Sequence, residues 1–269
     1  MRLTAHAMIK NEEVFIGPAV SVLATELEHV IVMDTGSTDD TVDILHSIGK
    51  KLGPLHFFQD RWGGAVIVKD EDEHAWVEVD ESYPVRVSEY GSLTIVEVDA
   101  PLTREQNGDA RNYMASLTKT DWILICDGDE YYLPEALREL RDIEMPPEAR
   151  LGYLQFQVVR HEDGKWRYSE PWNGQALMYA PGLVYEGRYP EECPNWNAIL
   201  LANPRIQVNI ELENEPIWDF HHAIRSRKDD ETFHRALHPH GRRMRMPLYQ
   251  EVELPFKWRD EWWSPYKEE

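Results

Sequence analysis

The stretch "HVIVMDTGSTDDTVDILHSIGKKLGPLHFFQ", residues 29–59, decides the fold class. Residues 29–33 read as a buried strand, apolar from Val30 to Met33 and rich in β-branched side chains. The run stops at Asp34 in a small polar loop, "DTGSTDDT", where Ser37 or Thr38 is placed to cap a helix. "DDTVDILHSIG" then carries helical apolar spacing, and "LHFFQ" reads as a further strand. Toward the N-terminus, "LTAHAMI" (residues 3–9) reads as a buried strand, and Gly17-Pro18 opens a helix through "AVSVLATEL". Strand, helix, strand, helix, strand predicts a mostly parallel sheet with right-handed crossover helices, the first half of a doubly wound α/β fold. A ligand of such a sheet binds in the crevice beyond the carboxyl ends of the strands.

Toward the C-terminus the pattern breaks. Residues 63–99 alternate apolar and acidic side chains between turn signals, which predicts two or three short antiparallel strands. Residues 63–104 are therefore expected to form an acidic β-rich insert. The helical pattern resumes in "NGDARNYMASLT", followed by the buried strand "DWILIC" and the helix "PEALRELRDI". Residues 151–214 turn β-rich again, and residues 224–269 carry a basic helix-like segment and a Pro/Trp-rich tail. The simplest organisation is one domain over residues 1–269, with an antiparallel second half.

Bulk properties exclude several classes. No run of about 18 apolar residues exists, so no transmembrane helix is expected. "MRLTAHAMIKNEE" lacks the apolar core and cleavage site of a signal peptide. Two cysteines, Cys126 and Cys193, are too few for a disulfide framework or a thiolate metal cage. A cytoplasmic protein, at most peripheral to a membrane, is expected. The formal charge of −21 disfavours nucleic acid over most of the surface. "HPHGRRMRM", with Arg242, Arg243 and Arg245, is the local exception.

The strand "DWILIC" runs straight into Asp127, Gly128, Asp129 and Glu130. Taken alone, such a turn is either a solvated acidic loop or a site for a cation. Two carboxylates converging in a crevice cost energy unless a positive charge balances them. Oxygen ligands suit Mg²⁺ or Mn²⁺, which keep positions open for substrate phosphates.

The neighbouring blocks favour the cation. "MIKNEE", "VIVMDTGSTDDTVDIL" and "GDARNYMASLTKTDWILICDGDE" resemble, in order, spacing and content, the family-2 glycosyltransferases. "DTGSTDDT" departs from that family's D-x-G-S-x-D-G-T only in having Asp40 for the Gly. The resemblance covers residues 6–60 and 107–132. It implies a GT-A type fold, a nucleoside-diphosphate sugar donor (UDP-linked by preference), and inverting transfer to an acceptor hydroxyl.

Carried over by position, it gives Asn11 and Glu12 contacts to the base or ribose. Asp34 would take ribose hydroxyls or a uracil N–H, the rival role being an Asx-turn that holds its own loop. Ser37 and Asp39 read as caps. Asp60, after the third strand, would approach the base. Arg111 would steady the diphosphate or the acidic turn, and Asn112 reads as structural. Asp127 and Asp129 become the ligands of Mn²⁺ or Mg²⁺, with Asp129 at the reacting centre, Glu130 behind them and Cys126 in the core. The family's later His ligand falls on "WDFHHAIRS", where two adjacent His point opposite ways and His222 is preferred to His221. The general base falls on Glu191 in "YEGRYPEEC", although Pro190 stands where the family has His; Glu192 and Glu170 are its alternatives. Trp166, Tyr168, Trp172 and Tyr179 would either floor a sugar site or pack a core.

The implied acceptor is a glycan or surface-polysaccharide precursor. A hydroxymethylated base in DNA is the alternative that the basic tail allows. A nucleotidyltransferase fits less well, because "HAMIKNEEVFIGP" has no Gly-rich basic phosphate loop. A non-catalytic sugar-nucleotide-binding module is disfavoured by the intact Asp34, Asp127 and Asp129.

Overall fold

The structure is a computed structural model, and it describes residues 1–62, 65–69, 75–79, 83–98, 102, 106–162, 165–169, 172–186, 193–195, 204–212, 217–219 and 248–252. In chain order the first half contains β1 (Leu3–Ile9), α1 (Ile16–Glu26), β2 (His29–Asp34), α2 (Thr41–Leu52), β3 (Leu55–Trp62), β4 (Ala65–Lys69), β5 (Ala75–Val79), β6 (Tyr83–Tyr90), β7 (Leu93–Val98) and α3 (Asn107–Ser116). The second half contains β8 (Trp122–Cys126), β9 (Glu130–Tyr131), α4 (Pro134–Asp142), β10 (Leu151–Glu162), β11 (Lys165–Ser169), β12 (Trp172–Tyr179), β13 (Tyr185–Glu186), β14 (Cys193–Pro194), β15 (Gln207–Asn209), β16 (Ile217–Asp219) and β17 (Leu248–Val252).

One mixed sheet organises the chain, in the order β17-β11-β10-β12-β8-β1-β2-β7-β6-β3. Its centre, β8-β1-β2-β7, is parallel. Antiparallel strands flank it: β12, β10 and β11 on one side, β6 and β3 on the other. The fold is therefore α/β with an antiparallel second half, as the sequence predicts. The central strands are covered on both faces, which explains why they read as unbroken apolar runs. Leu3, Ala5, Ala7 and Ile9 of β1 join one core with Ile16, Val20 and Leu23 of α1, Ile44, Leu45 and Ile48 of α2, and Leu137 and Leu140 of α4. On the opposite face, Ile31, Met33 and Val96 pack with Ala110 and Met114 of α3. Each fully buried Leu, Ile or Val contributes about 1.5–3 kcal/mol over leaving it exposed.

The third parallel strand is a correction. "LHFFQ" was expected to take that place, yet β3 pairs antiparallel with β6 at the sheet edge, and β7 lies beside β2. The physical reason is the cost of covering both faces. β3 carries His56, Gln59, Asp60 and Arg61, each of which would need a partner in the interior. β7, "LTIVEV", brings only two polar side chains and both are satisfied. Thr94 bonds His29 at 2.8 Å, and Glu97 meets His46 at 3.3 Å and Arg86 at 3.6 Å. Leu55 and Phe57 of β3 stay about half exposed instead. Part of the stretch expected as an insert thus belongs to the main sheet, while β4 and β5 form a separate hairpin.

Local sequence explains the helices that frame the crevice. α2 buries Ile44, Leu45 and Ile48 at helical spacing, with Lys50 and Lys51 in its last turn, where they suit the helix dipole. Its start is held by Asp39, whose Oδ1 accepts from the Thr41 N–H at 3.1 Å, rather than by Ser37 or Thr38. α4 opens on Pro134 and buries Ala136, Leu137 and Leu140.

Candidate active site at the carboxyl ends of the parallel strands

The register of the parallel strands sets the site. Ile9 is the neighbour of Asp34, Asp34 of Glu97, and Ala7 of Cys126. The residues that follow these strands, 10–12, 35–38 and 127–130, therefore meet along one lip of the sheet.

The first two loops lock each other. Asn11 adopts a left-handed backbone (φ 58°), a conformation its side chain tolerates better than most. Its Oδ1 accepts from the Thr38 N–H at 2.8 Å, and its own N–H donates to Ser37 Oγ at 2.8 Å. The Thr35 N–H and hydroxyl both donate to the Ile9 carbonyl at 2.9 Å. Asp34 is buried, and Gly36 and Ser37 donate their N–H groups to its Oδ2 at 3.1 and 3.0 Å. The Ser37 hydroxyl bonds its Oδ1. In this state Asp34 thus builds the Asx-type turn that holds its loop.

Glu12 joins this assembly to the acidic turn. Its N–H donates to Thr41 Oγ1 at 2.8 Å, and its carbonyl accepts from Phe15 and Ile16 at the start of α1. Its side chain is buried against Gly128: a Cβ added there would stand 2.7 Å from Glu12 Cγ and 3.0 Å from Ile9 Cγ2. The missing side chain is what lets the 127–130 turn lie on Glu12.

Within that turn the two aspartates differ. Asp129 is 2% exposed, whereas Asp127 is exposed. Glu130 closes the turn, its Oε2 accepting from the Asp127 N–H at 3.1 Å and from the Tyr132 hydroxyl at 3.3 Å. Burial raises the Tyr132 phenol well above its ordinary range, so Tyr132 keeps its proton at neutral pH and donates it to Glu130. Burial likewise pushes up the Cys126 thiol, which stays neutral in the core.

Among the described residues no three His, Cys, Asp or Glu side chains gather to hold a metal ion. Asp127 and Asp129 are two oxygen donors on either side of one glycine. A hard ion that takes one or two carboxylates and fills its other positions with water and phosphate fits such a donor set.

Arg111 lies on α3, across the sheet from α1 and α2, with its guanidinium carbon 5.6 Å from the Tyr185 ring centre. Asn112 is structural, as expected. It donates to the Tyr185 carbonyl at 3.0 Å and accepts the Tyr185 N–H at 2.7 Å, pinning β13 to α3. Asp60 does not follow its strand; β3 continues to Trp62, and Asp60 lies opposite Val85 with β6 and β7 between it and β2. Glu191 and His222 lie outside the described residues, as do His221, Glu170 and Glu192 and the side chains of Trp166, Tyr168 and Trp172. The described β16 places Asp219 opposite Glu130. Tyr179 stacks edge-on with Trp122 (5.5 Å) and under Arg150 (4.5 Å), which is a packing role.

Two groups escaped the sequence. Glu97 lay in text read as an insert, and its partner His46 lies 51 residues away. His6, in the middle of β1, is fully buried with Nε2 2.7 Å from Thr118 Oγ1. Burial first, then the charges of Arg111 and His29, lower its pKa from 6.5 to about 3.

No protein-family model and no curated protein sequence matches the chain. Solved structures do. S. aureus TarS 1-349 in complex with UDP-GlcNAc is 18% identical, with a TM-score of 0.39, over 59% of this chain and 35% of that one. The mannosyltransferase PcManGT of Pyrobaculum calidifontis, in complex with GDP-Man and Mn²⁺, is 15% identical, TM-score 0.37, over 57% and 35%. M. tuberculosis glucosyl-3-phosphoglycerate synthase is 13% identical, TM-score 0.45, over 86% and 74%. The chain spans about a third of the length of the TarS and PcManGT chains. By their names, PcManGT is a mannosyltransferase and the M. tuberculosis protein a glucosyl-3-phosphoglycerate synthase, and what they share with this chain is the α/β fold.

Proposed function

We propose that the protein is a metal-dependent, inverting glycosyltransferase that moves a sugar from a nucleoside-diphosphate donor, UDP-linked by preference, to an acceptor hydroxyl. One observation carries the proposal: the Asp34 loop, Asn11, Glu12 and the Asp127-Gly128-Asp129 turn are packed on one another at the carboxyl ends of adjacent parallel strands. That is where an α/β sheet binds a nucleotide.

The nucleoside lies along the Asn11–Glu12 and Asp34 loops. Gly36 and Ser37 already place two contacts on each Asp34 oxygen, so a ribose hydroxyl that bonds Asp34 replaces one of them. Arg111, on α3, would steady the diphosphate or the acidic turn by charge-assisted hydrogen bonds. Asp127 and Asp129 would hold Mn²⁺ or Mg²⁺, with His222 as a further ligand, and the ion would supply Lewis-acid neutralisation of the departing diphosphate. The acceptor oxygen attacks the anomeric carbon from the face opposite the leaving group and inverts it. Glu191 takes the hydroxyl proton as general base. The acceptor is a glycan or a surface-polysaccharide precursor. With two cysteines and a strongly acidic surface, the enzyme works in the cytoplasm.

Screening UDP- and GDP-sugars for slow hydrolysis by the purified protein tests the proposal. Release of free sugar from one donor supports it. Pyrophosphate formed from UTP and a sugar phosphate, with no such hydrolysis, would replace it with a nucleotidyltransferase.

A further inference from the structure

The lip is built from four parallel strands, and the roles above use only three. β7 is the fourth. Glu97, its last residue but one, is the direct neighbour of Asp34. Val30 and Val32 of β2, and Leu93 and Ile95 of β7, belong to the core on the α2 side of the sheet. Strand alternation therefore sends Asp34 and Glu97 to that same side.

Glu97 is held from two directions. His46 Nε2 stands 3.3 Å from its Oε1, and Arg86 3.6 Å from its Oε2. His46 is itself fixed, with Nδ1 2.9 Å from the Tyr90 hydroxyl. The Tyr90 ring in turn lies so close to Gly49 that a Cβ there would meet it at 2.4–2.8 Å. The His46 hydrogen bond is the largest cause lowering the Glu97 pKa; burial opposes it and Arg86 adds to it. Glu97 is thus an ionised, acceptor-only group whose side chain keeps 14% of its surface exposed. His46 and Arg86 leave part of its acceptor capacity unused.

Position along the lip says what it meets. Adjacent strands are about 4.8 Å apart, so the three intervals from β8 to β7 span roughly 14 Å. A nucleoside diphosphate with its phosphates at the β8 turn and its ribose at Asp34 extends its base over the end of β7. We infer that Glu97 reads the donor's nucleobase by accepting a hydrogen bond from a base N–H, and that His46 is the positioning residue that holds it. This inference rests on the glycosyltransferase proposal and sharpens it: the third parallel strand supplies the base contact through Glu97, in place of Asp60.

The test compares dissociation constants of UDP, CDP, GDP and ADP, and of inorganic pyrophosphate, for wild type, Glu97→Gln and His46→Gln, with thermal unfolding to verify folding. Wild type prefers one base. Glu97→Gln swaps half of the acceptor edge for a donor and reduces that preference about tenfold or more, the worth of one charge-assisted hydrogen bond. Pyrophosphate binding stays unchanged in that variant, and His46→Gln, which retains a donor, shows a smaller loss. An unchanged preference in Glu97→Gln overturns the inference alone. So does an equal fall for all four nucleotides, which would put Glu97 on the ribose. If wild type binds none of the four, the glycosyltransferase proposal falls with it.

Discussion

Replacing Gly128 by alanine probes the acidic turn most sharply. The new Cβ would stand 2.7 Å from Glu12 Cγ, 3.1 Å from Glu12 Cβ and 3.0 Å from Ile9 Cγ2. Carbon atoms ordinarily approach to about 3.5–4.0 Å, so something has to give by roughly 0.8 Å. Ile9 is a core residue, 3% exposed. Glu12 is pinned at both ends of its peptide, by Thr41 Oγ1 at 2.8 Å and by the Phe15 and Ile16 N–H groups at 3.1 and 2.9 Å. The turn is held more lightly, by the Asp127 N–H on Glu130 Oε2 and the Glu130 N–H on the Asp127 carbonyl, both at 3.1 Å. Gly128→Ala therefore lifts the turn and costs about 1–3 kcal/mol, the usual range for overpacking. A shift of this size at reacting groups slows turnover by up to about 10²-fold. Urea denaturation measures the first effect and UDP-sugar hydrolysis the second. A variant with the wild-type midpoint and the wild-type rate would show that Glu12 does not support this turn.

Other consequences follow from the same contacts. His6 has a folded pKa of about 3 against an ordinary 6.5, so the unfolded chain binds a proton that the folded one refuses. The contribution of His6 to stability is then constant above about pH 6.5 and is lost as pH drops toward 3, on the order of 5 kcal/mol over the whole window. Urea unfolding at pH 7, 5 and 4 shows a shallower slope for His6→Gln; equal slopes for the two proteins would contradict the burial of His6. Asn112→Ala removes both bonds to the Tyr185 backbone and costs about 1–3 kcal/mol without changing nucleotide affinity. Denaturation and UDP titration check the two halves of that statement, and a large loss of affinity would move Asn112 into the binding site.

Much of this architecture was legible from the sequence because the chemistry is local. β1, β2 and β8 are covered on both faces and show themselves as apolar runs, and α1, α2, α3 and α4 carry their own periodicity. The "DTGSTDDT" loop declared its turn through Asp34, whose partners Gly36 and Ser37 are two and three residues away. The choice between β3 and β7 for the inner position was not legible. It depends on whether His29, His46 and Arg86 satisfy Thr94 and Glu97, and those pairings join residues 11 to 65 positions apart. For the same reason the sequence assigned the end of the third strand to Asp60 and passed over Glu97. The different exposure of Asp127 and Asp129 was equally hidden, since the turn packs against residues far away in the sequence, Ile9 and Glu12.

Isothermal titration of UDP, with and without Mn²⁺, tests the central claim most directly when wild type is compared with Asp127→Ala and Asp129→Ala. The account predicts binding that tightens with Mn²⁺ in wild type and loses that dependence in both variants. Binding indifferent to Mn²⁺, or unaffected by either substitution, would contradict it.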